Sequence, residues 1–208
     1  MPSPSPTNKE NPMRKLSHAA LVALALGVAS VPSAMAADMP SSPTAQVKSG
    51  LYVTAKEAAQ LMADDKGTVL VDVRDPVEIM FTGYAPATAV HVPYQTADRT
   101  RFNAEKGVFL MEKNPAFADQ VEAKLTALGA DKEKTKVVFM CRSGSTRSAP
   151  AADQLFARGW KNAYTMVDGF EGETRKDGPS KGVRDVDGWR NSGLPWGYKL
   201  DPKVMAPN

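Results

Sequence analysis

Two short runs of strand-forming residues, Thr68-Val69-Leu70-Val71-Asp72-Val73 and Val137-Val138-Phe139-Met140, constrain this chain more than any other feature. A strand with one wet face alternates apolar and polar side chains. These do not, so both sheet faces must be covered. Thr54 and Glu57 form a capping box that opens a helix to about Ala63, with Ala58, Ala59, Leu61 and Met62 facing inward. Asp75 at an N-cap and Pro76 at the first helical position open a second helix that should end before Gly83. Asn114-Pro115 opens a third, running to about Leu128 with Gly129 as its cap, and Ser148–Arg158 reads as a fourth, stopped by Gly159. Ala87–Val92 and Ala163–Val167 read as further strands. Strands alternating with helices imply an α/β fold: a parallel sheet, helices on both faces, right-handed crossovers.

The chain's single cysteine, Cys141, follows the second apolar run directly and precedes a polar loop and a helix. In such sheets ligands bind at the carboxyl ends of strands, and free N–H groups at a helix start form an anion site. An inert core cysteine needs no arginines or hydroxyls beside it. A thiolate receiving a charged group does. Arg142, Ser143, Gly144, Ser145, Thr146 and Arg147 are therefore the candidate binding residues around a nucleophilic Cys141, with Gly144 permitting the turn. His91 sits inside a strand and reads as structural.

Met13-Arg14-Lys15, the apolar stretch Ala19–Val31 and the small-x-small Ala34-Met35-Ala36 read as a secretory signal peptide over residues 1–36, too short for a comfortable membrane span. The expectation is export to the periplasm after cleavage near Ala36, with no membrane attachment afterwards. Losing Lys9, Glu10, Arg14 and Lys15 leaves the remainder within one charge of neutral, which gives no reason to invoke nucleic acid. One cysteine excludes an internal disulfide, and a lone thiol in an oxidising compartment is itself a mark of reactivity. Residues 37–50, rich in Pro, Ser, Thr and Ala without hydrophobic period, read as a linker, and 201–208 as a tail. Residues 94–113 read as polar and irregular, with Phe109, Leu110 and Met111 their core contribution, and 171–187 as a surface loop. Trp160, Trp189, Trp196, Phe170 and Tyr198 read as lid and core packing, and the ten scattered methionines argue against a copper cluster.

Three segments together resemble the rhodanese-like sulfurtransferases: Val69 to Arg74 with Glu78 and Gly83, Cys141-Arg142-Ser143-Gly144 with Arg147-Ser148, and Gly159 to Tyr164 leading to Asp168-Gly169-Phe170. Gly188-Trp189 and Gly193-Leu194-Pro195-Trp196 are similar to that family's C-terminal segment. The resemblance implies a rhodanese-like domain over 51–200 built on a five-stranded parallel sheet, and a persulfide cycle on Cys141 with no metal or organic cofactor. It implies a small anionic sulfur donor such as thiosulfate, bound by Arg142 and Arg147, and a thiol, a sulfur-acceptor protein or cyanide as acceptor. The N–H groups of Ser143, Gly144, Ser145 and Thr146 would cradle the persulfide. Asp72 and Arg74 are supporting residues by the same analogy, orienting the loop through hydrogen bonds; as residues alone they read equally well as a structural ion pair. Five residues separate Cys141 from Arg147, a spacing shared with cysteine phosphatases, so a rhodanese-fold phosphatase or arsenate reductase is the alternative enzyme. A non-catalytic thiol docking or sensing module is the alternative without chemistry.

Overall fold

The computed structural model describes residues 1–3 and 36–205; the leader expected over 1–36 lies, apart from its two ends, outside them. The described residues from Ala36 to Met205 belong to one compact unit. In chain order its elements are β1 (Tyr52–Val53), α1 (Ala55–Asp64), β2 (Val69–Asp72), α2 (Pro76–Thr82), β3 (Thr88–His91), β4 (Gln95–Asn103), β5 (Val108–Lys113), α3 (Phe117–Ala127), β6 (Val137–Met140), α4 (Ser148–Ala157), β7 (Ala163–Met166) and α5 (Pro202–Met205). The main sheet has five parallel strands in the order β1-β7-β6-β2-β3.

Alternate residues of the central strands enter two separate cores. Val69, Val71, Val137 and Phe139 pack with Phe117, Val121 and Leu125 of α3 and Ala152 and Leu155 of α4. Leu70, Val138, Met140 and Met166 pack on the other face with Ala55 and Ala58 of α1, Phe170 and Trp189. The unbroken apolar runs thus have the cause expected of them. Their side chains are in place on both faces, with helices on each. From the middle of the sheet β2 leads outward to β3 and β6 leads outward to β7, so the crevice between their carboxyl ends is a topological switch point. Cys141 stands there.

Thr54 and Asp75 cap α1 and α2 as read, with the reciprocal Thr54–Glu57 capping box formed. Three stretches differ from expectation. Residues 94–113 form an antiparallel ribbon, β4 with β5, and Phe109, Leu110 and Met111 are exposed on it rather than buried. The linker read over 37–50 packs on the domain: Ala45 and Val47 are buried, a single turn of 3-10 helix spans Pro43–Ala45, and the Lys48 N–H donates to Asp153. Two isolated small apolar residues leave no period, which is why the stretch reads as unstructured. The tail read from 201 contains α5, with Val204 and Met205 half-buried.

Asp72 and Arg74 form a wholly buried ion pair, Nη2 to Oδ2 at 2.6 Å, with Nε also donating to both carboxylate oxygens. Arg74 donates further to the Thr82 hydroxyl and the Gly83 carbonyl, and its guanidinium lies 3.9 Å over the Phe170 ring. None of these bonds reaches the 142–147 loop, so the pair is structural and touches the loop only through α2 and Phe170. Removing one partner of such a pair strands a buried charge. Arg74→Met is therefore expected to cost about 3–5 kcal/mol in urea unfolding, and Asp72→Asn combined with Arg74→Met distinctly less than the two single losses summed.

Candidate active site

Cys141 is 2% exposed, its side chain lying on the α3–α4 face of the sheet immediately after β6. Burial alone would push the thiol up. The Arg147 charge, the Ser148 hydroxyl and the N–H groups of Ser148 and Ser143 outweigh it, and the thiol lies below its ordinary value. Ser148 Oγ is 3.3 Å from Sγ and 3.1 Å from Thr165 Oγ1. With Thr165 donating to it, the Ser148 hydroxyl keeps its own proton for a thiolate. Ser148 also opens α4, so the positive end of that helix is directed at the sulfur.

Arg147 is buried, and its guanidinium is held by both oxygens of Glu78 on α2, at 2.6 and 2.9 Å. Burial works against its charge, but Glu78 and the sulfur raise its affinity for the proton, so it stays cationic. Arg142 is placed differently. Its half-exposed side chain donates from Nε to Glu171 at 2.5 Å, and Glu171 also takes Arg190 at 3.1 Å. Of the two arginines expected to grip an oxyanion, Arg147 is the one whose charge acts on the sulfur. The side chain of Arg142 serves as a brace to the 171–190 segment.

The loop between them is gripped from outside. The N–H groups of Phe170 and Glu171 donate to the carbonyls of Cys141 and Arg142, both within 3 Å. Gly144 has φ +73°, and a Cβ there would overlap the Val167 carbonyl. A Cβ on Gly169 would come within 2.6 Å of the Cys141 carbonyl oxygen. Ser145 Oγ pairs with Thr44 Oγ1 of the N-terminal strap at 3.1 Å, and Thr146 is exposed. The N–H groups of Gly144, Ser145 and Thr146 donate to no carbonyl among the described residues, which leaves them for an anion. A cleft of about 650 Å³ flanks the loop, with Ser143, Ser145, Asp168 and the strap residues Met39 and Ser42 in its wall.

Sequence reasoning named Cys141 and the loop as one unit, and the structure brings them together. It assigned no role to Glu78, Ser148, Thr165 or Glu171. Glu78 reads as an ordinary first-turn acid of α2, and Thr165 carries only the signal of a hydroxyl in an otherwise apolar strand. His91 is structural as read, its Nε2 bonded to the Arg74 carbonyl at 2.9 Å. Among the described residues no three His, Cys, Asp or Glu side chains gather as metal ligands would.

Comparison with known proteins agrees with this geometry. The Rhodanese-like domain family matches residues 54–175. The uncharacterized protein RP600 of Rickettsia prowazekii is 33% identical over 97 residues, 46% of this chain and 67% of its own length. The uncharacterized protein RC0915 of Rickettsia conorii is 28% identical over 147 residues, 70% of this chain and 96% of its own. The crystal structure of Rv0390 from M. tuberculosis superposes with a TM-score of 0.54 at 27% identity, covering 71% of this chain and 97% of that one.

Two outcomes follow from the electrostatics. Ser148→Ala removes a donor to a charged sulfur, so the pH midpoint of Cys141 alkylation is expected to rise by about one unit. Asp168 is pushed up to about 6, chiefly by burial and also by Asp187, against the N–H groups of Ala55 and Gly188 that favour its charge. The folded protein thus keeps a proton that the unfolded chain loses near pH 4. This contribution to stability is whole below pH 4 and declines as pH rises through 6. Melting temperature against pH should show that decline in the wild type and not in Asp168→Asn.

Proposed function

This chain belongs to the rhodanese-like domain family, and from that premise we propose that it is a sulfurtransferase that carries sulfane sulfur on Cys141, taking it from thiosulfate or a related anionic donor. The observation that carries the reading is the sulfur itself: a buried thiol whose burial is outweighed by Arg147, Ser148 and the N–H groups of the loop. The Cys141 thiolate attacks the outer sulfur of the donor. A new S–S bond forms, the donor's S–S bond breaks, and sulfite leaves with the electron pair. The N–H groups of Ser143 to Thr146 receive the persulfide, and Arg147 balances the donor's charge. An acceptor thiolate or cyanide then attacks the outer sulfur, and the electron pair returns to Sγ. No proton need be carried by a separate base, and His91, bonded to the Arg74 carbonyl, has no part in the step.

Export completes the proposal: the leader pattern supports processing near Ala36 and work in the periplasm, with a small anionic donor and a thiol, on a small molecule or on another protein, as partners. The Cys-x5-Arg spacing, shared with cysteine phosphatases, supports a phosphatase or arsenate reductase as the second reading. Thiosulfate with cyanide should yield thiocyanate from the wild type and none from Cys141→Ser, and mass spectrometry after thiosulfate alone should find one added sulfur on Cys141. Thiocyanate formation surviving in Cys141→Ser, or hydrolysis of an aryl phosphate without any persulfide, would reject the sulfur-transfer role.

A further inference from the structure

Glu171 is 5% exposed and is held at four points. Its backbone N–H donates to the Arg142 carbonyl at 2.9 Å, and its own carbonyl accepts from Asn191 Nδ2 at 2.9 Å. Its carboxylate takes Arg142 through Oε2 and Arg190 through Oε1. One residue therefore grips Arg142 twice, at the main-chain carbonyl and at Nε, and the two residues close into a ring. The Gly172 N–H adds a longer bond to the same carbonyl, at 3.3 Å. A Cβ on Gly169 would lie 2.7 Å from both the Arg142 carbonyl carbon and the Ser143 nitrogen, so the peptide joining Arg142 to Ser143 is also backed by closely packed main chain.

That peptide is trans, and in a planar trans peptide the C=O and the N–H point to opposite sides. With the Arg142 carbonyl drawn toward residues 171 and 172, the Ser143 N–H is turned the other way, to the sulfur, where it favours the thiolate. We propose that Glu171 is a positioning residue, acting through Arg142 rather than on the sulfur: its double grip orients the 142–143 peptide so that the Ser143 N–H serves the Cys141 thiolate. The extension to the persulfide that follows rests on the sulfur-transfer reading; the aim of the N–H at the sulfur precedes any donor. The direct effects of the charges run the other way. A carboxylate near a thiol disfavours the thiolate, and an Arg142 released by loss of Glu171 would favour it. Both make removal of Glu171 lower the pH at which Cys141 ionises. The orienting role makes it raise that pH, so the sign of the shift decides between them.

The rate of Cys141 alkylation by iodoacetamide against pH tests this, with circular dichroism to check the fold of each variant. No donor is present, so the outcome is separate from whether thiosulfate is a substrate. Glu171→Ala should raise the midpoint by about half a unit, and Glu171→Gln, whose carboxamide oxygen still accepts from Arg142 Nε, should bring it back to within about 0.2 of the wild type. Arg142→Ala removes the same side-chain grip from the other end and should raise the midpoint to a similar extent. The two alanine changes together should raise it no further than the larger of the single shifts. A midpoint that falls or stays in place in Glu171→Ala overturns the proposal, as does a Glu171→Gln no closer to the wild type than Glu171→Ala, or a double variant whose shift is the sum of the single ones. If Glu171→Ala does not fold, Arg142→Ala decides: an unmoved midpoint there overturns the proposal, and a rise supports it.

Discussion

Arg147 lies between two anions, the Glu78 carboxylate and the Cys141 sulfur, in a place that almost excludes water. A charge there is tolerable only with partners, and each partner is equally costly without Arg147. One guanidinium cannot neutralise two anions. The balance falls to dipoles: the N–H groups of Ser143 and Ser148, the Ser148 hydroxyl and the start of α4. Such groups are fixed by backbone geometry and need not reorganise when the sulfur changes state, which is the condition for electrostatic stabilisation of an anionic intermediate.

Glu78 can hold Arg147 only if α2 is held, and seven residues are too few for a helix to stand alone. It is pinned at both ends. Asp75 caps its start through the Val77 N–H and also takes the Ala97 N–H. Arg74 bonds to Thr82 and Gly83 at its finish. The buried Asp72–Arg74 pair, remote from the sulfur by hydrogen bonding, thus transmits its position along α2 to the group that keeps Arg147 in place.

What could be read from the chain alone follows the range of the forces involved. The unbroken runs at β2 and β6, the caps of α1 and α2 and the position of Cys141 rest on local pattern, and the sheet and its two covered faces follow from them. The mouth of the site does not. Arg142 and Arg147 look alike as residues beside a cysteine; what separates them is which acid lies within reach, Glu171 for one and Glu78 for the other, and both acids are distant in sequence. Ribbon β4–β5 was illegible for another reason: its apolar residues sit consecutively and face solvent, so neither the two-residue alternation nor burial marks it as strand. The strap at 37–50 contributes only two buried side chains, too few to make a period.

The loop's shape, finally, owes less to its own residues than to the segment after β7. Phe170 and Glu171 fasten the carbonyls of Cys141 and Arg142, and Gly169 lets those chains approach closely enough to do so. Phe170 is also buried in the core on the α1 face of the sheet and receives Arg74 on its ring. One residue therefore joins the core and the buried ion pair through its ring, and the Cys141 loop through its backbone N–H. A disturbance of Arg74 reaches the sulfur by two routes, along α2 through Glu78 and across the ring of Phe170 to the Cys141 carbonyl. Because both routes are made of packed or bidentate contacts, they have little freedom to adjust independently. The site is accordingly rigid around the sulfur, and its loop is most open at Arg142 and Thr146.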